Sequence, residues 1–329
     1  MALSACTKKV FVVLLFLCIC FSGLNSFGVV DAKSQANTNA PTDGSPWLNV
    51  GAVAGAGGIY LGERWVLTAA HVGPGDTKLA GIVYPFDGIS YRLTNSDGGS
   101  NDMVLFHLGA QPPLTNLVLA TSPPAIGWTV DMIGYGLKAG SAQTNIGPYT
   151  GFYWSANNGL ESWGNNSVSD ILQEIYAGFG VLTTFRTIFD AISQTSHEAQ
   201  AAPQDSGGGV FQLSGSKWQL VGMLDAIDGP GYTNGAALYT DSTYSADIFT
   251  YRSQIISLMT SGAPPYLLEA KVGTNVNLSW PGAAIGYKLA ASAYLPGTNW
   301  TPISTTLAGQ GFTNLPATNS ARFFRLQKP

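Results

Sequence analysis

Cysteine, charge and histidine are all scarce in this chain of 329 residues. The three cysteines, Cys6, Cys18 and Cys20, lie at the N-terminus, so a protein that has lost that segment has no disulfide. Only 10% of residues are charged, the formal net charge is −4 and no basic cluster occurs, which argues against nucleic acid as a partner. The candidate bases and metal ligands are few: His71, His107 and His197. No two of them have zinc-ligand spacing, so we expect no metal and no other cofactor.

The first 32 residues are predicted to be a secretory signal peptide. Lys8 and Lys9 precede an apolar run from Val10 to Phe21, and Val30-Asp31-Ala32 has the small residues of a cleavage site. The predicted mature chain starts near Lys33, is secreted, periplasmic or on the cell surface, and has no membrane contact after cleavage. A retained membrane anchor is the alternative, although the run is short for a full span.

The composition favours an all-β protein, with 40 glycines, 18 prolines and 45% hydrophobic residues. After a flexible leader at 33–45, short apolar segments alternate with turns in two sets, which predicts two small antiparallel barrels. The first set comprises 48–53, 58–61, 65–70, 82–84, 91–94, 103–108 and 117–120; the second comprises 128–136, 151–155, 181–185, 209–213, 218–226 and 236–240. Residues 247–261 have apolar residues at helical spacing and are predicted to form a closing helix.

A second, smaller domain is predicted at the C-terminus. Residues 263–265 form a linker with two prolines, and residues 266–329 contain strand-like segments at 276–280, 287–291, 300–304 and 323–326. About sixty residues suffice for a small β-sandwich. The segment resembles the fibronectin-III-like terminal modules of secreted bacterial proteins. It is either a structural appendage or a module that contacts a surface or glycan.

The stretch Gln204-Asp205-Ser206-Gly207-Gly208 is typical of a serine exposed on a tight turn. A serine hydroxyl needs a base to take its proton and an acid to orient that base. His71 follows the apolar segment 65–70, and Asp102 precedes the apolar segment 103–108. We predict that His71, Asp102 and Ser206 form a catalytic triad.

The chain order His71, Asp102, Ser206 is that of the chymotrypsin-like class. The motifs Thr68-Ala69-Ala70-His71, Asp102-Met103-Val104-Leu105 and Asp205-Ser206-Gly207-Gly208 resemble the three catalytic motifs of the trypsin/chymotrypsin family. The resemblance covers roughly residues 45 to 262. It implies a chymotrypsin-like double β-barrel at 46–262 and a secreted serine endopeptidase that cleaves protein or peptide substrates through an acyl-enzyme.

The resemblance also implies roles for residues around the serine. The N–H groups of Gln204 and Ser206 would form the oxyanion hole, although the family has glycine where Gln204 stands, so a positive φ would be strained. Gln200 occupies the pocket-floor position, where a neutral side chain favours a neutral residue at the cleavage site. Asp225 borders the pocket where the family has serine, and it lies either near Asp102 or in solvent. Asp205 needs a partner, because no activation sequence of the trypsin type occurs.

These departures leave two alternatives to an endopeptidase. Gln204 and Asp225 suggest a catalytically impaired protease fold that binds proteins or surfaces. An esterase acting on non-peptide acyl groups is the second alternative. His107 is predicted to be an ordinary barrel residue, and His197 with Glu198 to belong to a loop.

Overall fold

The structure is a computed structural model that describes residues 28–32, 37–140, 143–155, 160–176, 179–191, 195–262, 267–280, 284, 287–294, 299–308, 311–316 and 322–327. The charged start and apolar run of the predicted signal peptide, the three cysteines and the predicted linker lie outside these ranges. The chain divides into two compact units, residues 1–255 and 256–329. No helix among the described residues is long and apolar enough to cross a membrane.

The first unit consists mainly of strands, with a 3-10 helix at Trp47–Asn49 and the short helix α1 at Pro230–Asn234. Its strands are β1 Val30–Asp31, β2 Val50–Val53, β3 Ala56–Gly62, β4 Trp65–Ala69, β5 Thr77–Leu79, β6 Ile82–Tyr84, β7 Phe86–Thr94, β8 Ser100–Leu108, β9 Val118–Leu119, β10 Thr129–Gly134, β11 Lys138–Ala139, β12 Thr144–Ile146, β13 Tyr149–Ser155, β14 Ser162–Tyr176, β15 Val181–Ile188, β16 Ala199–Gln200, β17 Gly209–Ser214, β18 Lys217–Asp228, β19 Ala236–Leu238 and β20 Ser242–Asp247.

The first large sheet contains seven strands in the order β6-β5-β2-β3-β4-β8-β7. Its apolar side chains pack into one cluster that includes Val53, Tyr60, Leu79 and Phe106, all buried. Strand β4 is buried along its whole length and ends at Ala69, two residues before His71. It pairs with β8 so that Ala69 lies opposite Met103, which brings the end of β4 next to Asp102.

The second large sheet has the order β17-β10-β14-β15-β20-β18-β9, and an additional β17–β18 pairing closes six of its strands into a ring. Met132, Phe185, Val210 and Leu224 are among the buried residues inside it. The expected all-β architecture with two barrel sheets is confirmed. Strand β9 lies in a different sheet from the one expected: it was predicted with the first set but pairs in parallel with β18 of the second.

The segment before the barrels is also part of the fold. Strand β1 pairs with β16, with Val30 opposite Gln200 and Asp31 opposite Ala199. Val29, Val30 and Asp31 are at most 3% exposed. Cleavage after Ala32, as the sequence suggested, would remove this buried strand.

Helix α2 runs from Ile248–Ser261 and buries Ile248, Tyr251 and Ile255. Its first turn is held by Asp247, whose carboxylate accepts hydrogen bonds from Phe249 N at 2.9 Å and from the Thr250 hydroxyl at 2.8 Å. Such side-chain acceptors satisfy N–H groups that have no partner within the helix. The predicted closing helix is therefore present within one residue of its expected start.

The second unit contains two three-stranded antiparallel sheets, in the orders β21-β22-β25 and β24-β23-β26. The strands are β21 Leu268–Val272, β22 Asn275–Trp280, β23 Lys288–Ser292, β24 Thr301–Pro302, β25 Gly311–Pro316 and β26 Phe323–Gln327. Two small sheets agree with the expected β module. Its likeness to fibronectin-III-like modules stays a prediction.

Candidate active site

His71 and Asp102 meet where β4 ends and β8 begins. The carboxylate of Asp102 accepts two hydrogen bonds from the histidine, from the backbone N at 2.9 Å and from Nδ1 at 2.7 Å. Asp102 is fully buried, whereas 10% of the His71 side chain is exposed. Because the carboxylate holds both the main chain and the ring, it fixes the tautomer in which Nδ1 carries the proton and Nε2 can accept one.

Opposing influences set the pKa of His71. Burial favours the neutral ring and acts to lower the pKa. The hydrogen bond to Asp102 and the charge of Asp102 act in the opposite direction, and the pKa is raised above its ordinary value. A histidine with this environment gains proton affinity without losing access to the site, as a general base requires.

Ser206 lies on a turn that hydrogen bonds hold on both sides. Its carbonyl accepts from Gly57 N of β3 at 2.9 Å, and Gly207 N donates to Leu224 O of β18 at 2.8 Å. Gly207 has φ +84°, and a Cβ there would lie 2.1 Å from the Gly57 carbonyl oxygen. Glycine is therefore required after the serine. The Ser206 hydroxyl donates to the carbonyl of Asp225 at 3.2 Å.

Gln204 adopts φ +77°, the left-handed region that the family resemblance required at this position. Its side chain is exposed, so packing does not require glutamine at this position. The next residue, Asp205, extends the turn, with its N–H bonded to Ala202 O at 3.1 Å. The backbone thus keeps a glycine-like conformation at a cost of about 1 kcal/mol for a residue with a Cβ.

Asp205 is buried under the turn and accepts hydrogen bonds from the backbone. The donors include Gly136 N at 2.6 Å, Ala202 N at 2.7 Å and Val29 N at 2.9 Å. No cationic side chain of the described residues pairs with it. Burial outweighs these bonds and raises the pKa of Asp205 to about 7. The partner that the sequence left open is therefore the N-terminal segment, which sequence reasoning had removed with the signal peptide.

Asp225 belongs to the site through both its main chain and its side chain. It is 5% exposed, so the alternative that it points to solvent is wrong. One nitrogen of His71 and one carboxylate oxygen each of Asp102 and Asp225 lie within 4.8 Å of one another. A histidine and two carboxylates also form a donor set for cations, but here Nδ1 of His71 and Oδ2 of Asp102 already bind each other.

Gln200 is buried at 1% exposure in β16, six residues before Ser206. Its side chain lies against Asp241 and acts to lower the pKa of that carboxyl, although burial dominates and raises it. Asp241 itself accepts from Gly231 N at 3.1 Å and Leu238 N at 2.8 Å. The position expected at the pocket floor therefore has a neutral side chain, and the neighbouring Asp241 carboxyl is held by backbone N–H groups.

The other two histidines lie away from this cluster. His107 is buried in β8, with Nδ1 bonded to Asp87 at 2.5 Å, and burial lowers its pKa. His197 bonds Asp31 of β1 at 2.8 Å through Nδ1 and contacts Trp163 with ring centroids 4.5 Å apart.

Phe179 is a neighbour of the site that sequence reasoning missed. Its ring lies 5.9 Å from that of His71, and its side chain is 44% exposed. Its carbonyl accepts a hydrogen bond from the Arg92 guanidinium. A phenylalanine between two glycines gives no local signal that it will meet a histidine more than one hundred positions earlier.

The chain is similar to known proteins at the level of its family. The sequence model of the family described as Trypsin matches residues 35–249. One similar solved structure is neuropsin, a serine protease expressed in the limbic system of mouse brain, which is 17% identical with a TM-score of 0.44. That match covers 67% of this chain and 97% of the neuropsin chain. No curated protein matches the sequence.

Proposed function

This chain belongs to the trypsin family, and on that basis we propose that it is a serine endopeptidase that cleaves peptide bonds through an acyl-enzyme intermediate. The observation that carries the proposal is the bond between the buried carboxylate of Asp102 and Nδ1 of His71 at 2.7 Å. Ser206 is linked to this pair through Asp225, whose carbonyl accepts from the serine hydroxyl at 3.2 Å and whose carboxyl group lies within 4.8 Å of the pair. A buried carboxylate, a histidine and a serine hydroxyl are the three groups that acyl transfer needs.

In this mechanism, Ser206 Oγ attacks the carbonyl carbon while Nε2 of His71 takes the hydroxyl proton. Asp102 stabilises the imidazolium through the Nδ1 bond and itself stays ionised. His71 then returns the proton to the leaving amine, the acyl group remains on Ser206, and a water repeats the sequence to release the acid. The raised pKa of His71 assists the first proton transfer.

The oxyanion is proposed to bind the backbone N–H groups of Gln204 and Ser206. The positive φ of Gln204 supports this proposal, since it is the conformation that turns this N–H toward the site in the family. An impaired oxyanion hole was an alternative because a positive φ is unfavourable for glutamine. Gln204 nevertheless adopts φ +77°. Activity is therefore the expected outcome, with modest backbone strain.

Fluorophosphonate labelling of the purified protein tests the proposal, with Ser206→Ala as the matched control. We expect stoichiometric labelling that the control lacks, because the probe needs an activated serine and an oxyanion hole. Peptide amide and ester substrates with the same acyl group then separate an endopeptidase from an esterase. A folded protein that neither labels nor cleaves either substrate would be a protease-fold binding protein.

For specificity, we propose that the residue before the cleaved bond is neutral. Gln200 supports this, because the side chain at the expected pocket-floor position is neutral and the nearby Asp241 carboxyl is already held by backbone N–H groups. A peptide library with all residues at this position is the direct measurement. Strong selection for Lys or Arg would contradict the proposal.

We also propose that the protein is exported and that its mature N-terminus is Val29 rather than Lys33. Three features support this position. Val29 N lies 2.9 Å from a buried Asp205 carboxylate, where an α-ammonium would supply the missing positive charge. Val29 has φ +28°, which is strained for a β-branched residue, and hydrolysis of the preceding peptide bond would relieve it. Ser26 and Gly28 place small residues three and one positions before the cut.

A further inference from the structure

Asp225 is a buried carboxyl group with no donor of its own. Neither carboxylate oxygen of Asp225 has a hydrogen-bond partner among the described residues, and both atoms are inaccessible to solvent. By contrast, Asp102 accepts two N–H bonds from His71. A buried, ionised carboxylate without donors is highly unfavourable, whereas a carboxylate with two donors is stable. The two groups are therefore not equivalent, and the proton belongs on Asp225.

We propose that Asp225 is a neutral carboxylic acid in the resting protein and acts as a positioning residue, turning its proton toward Asp102 to hold that carboxylate against His71. The atoms lie within 4.8 Å, a separation that rotation of the Asp225 side chain can shorten to a hydrogen bond. The inference rests on the proposed function, because it assigns Asp225 a part in the same site.

The electrostatics of the site agree with this arrangement. Burial is the largest influence on Asp225 and raises its pKa well above the ordinary value; the charge of Asp102 raises it further, and His71 lowers it. These are the titratable groups that act on Asp225 from β8 and from the turn after β4. On the paired strand β20, burial is the largest influence on the pKa of Tyr244 and raises it. Arg186 lowers that pKa and Asp228 raises it, and Asp225 is not among the groups that act on it.

The strand geometry explains how a carboxyl group reaches this position. Asp225 interrupts the β18–β20 register between Leu224, opposite Ser245, and Ala226, opposite Tyr244. The extra residue of such a bulge is left out of the ladder, and its side chain is redirected. The Asp225 carbonyl is meanwhile occupied by the Ser206 hydroxyl at 3.2 Å. One residue therefore contacts the nucleophile with its main chain and faces the His71–Asp102 pair with its side chain.

The pKa of His71 depends on whether Asp102 and Asp225 are both ionised or whether Asp225 carries a proton. If Asp225 is neutral at pH 7, a single negative charge faces the imidazole, and replacing Asp225 with an uncharged residue of the same shape leaves the histidine pKa unchanged. If Asp225 is ionised, the replacement removes a negative charge next to the ring and lowers that pKa by about one unit or more. Asn is the isosteric replacement, and its NH₂ group can donate to Asp102 as the acid would.

The experiment compares wild type, Asp225→Asn and Asp225→Ala by NMR titration of His71 and by the pH dependence of kcat/KM. We expect the His71 pKa in Asp225→Asn to stay within about half a unit of wild type, and kcat/KM at pH 7 within about threefold. Asp225→Ala should lose about tenfold to a hundredfold, the range for losing a hydrogen bond to a charged group. If Asp225 only filled space, Asp225→Ala would lower stability but leave kcat/KM of the folded protein close to wild type.

A fall of about one unit or more in the His71 pKa in Asp225→Asn would overturn the inference, because it would show that Asp225 is ionised. Equal activity of Asp225→Ala and wild type would overturn the positioning role. Asp225→Ser, which is smaller and uncharged, replaces Asp225→Asn in both measurements if the amide variant does not fold. The NMR titration needs no turnover, so it decides the protonation state even if the protein fails to label with fluorophosphonate and the proposed function is wrong.

Discussion

Removing residues 29–32 provides a demanding test of the role of the N-terminal strand. The perturbation compares a chain that starts at Lys33, where the sequence alone places the mature end, with one that starts at Val29. Val29 is 2% exposed and Val30 is fully buried. Burying each valine is worth about 1.5–3 kcal/mol, so the two contribute about 3–6 kcal/mol.

The deletion also takes a donor from a buried acceptor. Asp205 would lose the N–H at 2.9 Å, and an unsatisfied buried polar group costs about 1–3 kcal/mol. The bond between Asp31 and His197 is lost as well, but it is partly exposed and adds little. Together the losses reach about 4–9 kcal/mol, which is comparable to the whole stability of a typical domain.

Urea unfolding followed by tryptophan fluorescence measures this difference, and fluorophosphonate labelling reports the state of Ser206. We expect the Lys33 chain to be unfolded or barely stable and not to label. A third chain, with Gly-Ser added before Val29, keeps the buried strand but has an amide where the α-ammonium would be. This third chain should fold, but fluorophosphonate should label it more slowly than the Val29 chain. An unfolding free energy for the Lys33 chain within about 1 kcal/mol of the Val29 chain would refute the reasoning.

Three further predictions follow from the same structure. Gln204→Gly should raise the unfolding free energy by about 1 kcal/mol in urea titrations, because it removes a Cβ from φ +77°; a loss of stability would show that this φ is not strained. Burial, then the neighbouring Asp43, raises the pKa of Asp131 to about 8, so the protonated form stabilises the fold at low pH and that stability is lost as the pH rises toward 8. Asp131→Asn should therefore gain up to about 4 kcal/mol relative to wild type between pH 5 and pH 8, measured by urea unfolding at both values, and a constant difference would contradict the shift. A chain ending at Gly262 should keep the full labelling rate and peptidase activity, since the predicted protease domain ends there; a tenfold loss would assign the C-terminal module a part in catalysis.

Some elements could be predicted because their signal is local. Helix α2 buries three of the residues whose helical spacing was visible in the sequence, and β4 and β8 are continuous apolar segments. Strand β14, at Ser162–Tyr176 the longest of the described strands, was missed. It buries Asn166, whose side-chain amide donates to Ile188 O at 2.9 Å and Ala199 O at 2.8 Å. A buried asparagine satisfied by distant carbonyls looks, in sequence, like part of a loop.

The sequence by itself determined the family, the all-β class and the chain order of His71, Asp102 and Ser206, because motif residues and apolar periodicity are local properties. Tertiary structure alone decided three features of the site: the backbone of Gln204, the burial of Asp225 beside Asp102, and the contact of Val29 with Asp205. Each depends on contacts between distant segments, or on a conformation that side-chain chemistry disfavours and surrounding bonds impose. For this reason, the departures from the family motif became interpretable only in the folded chain.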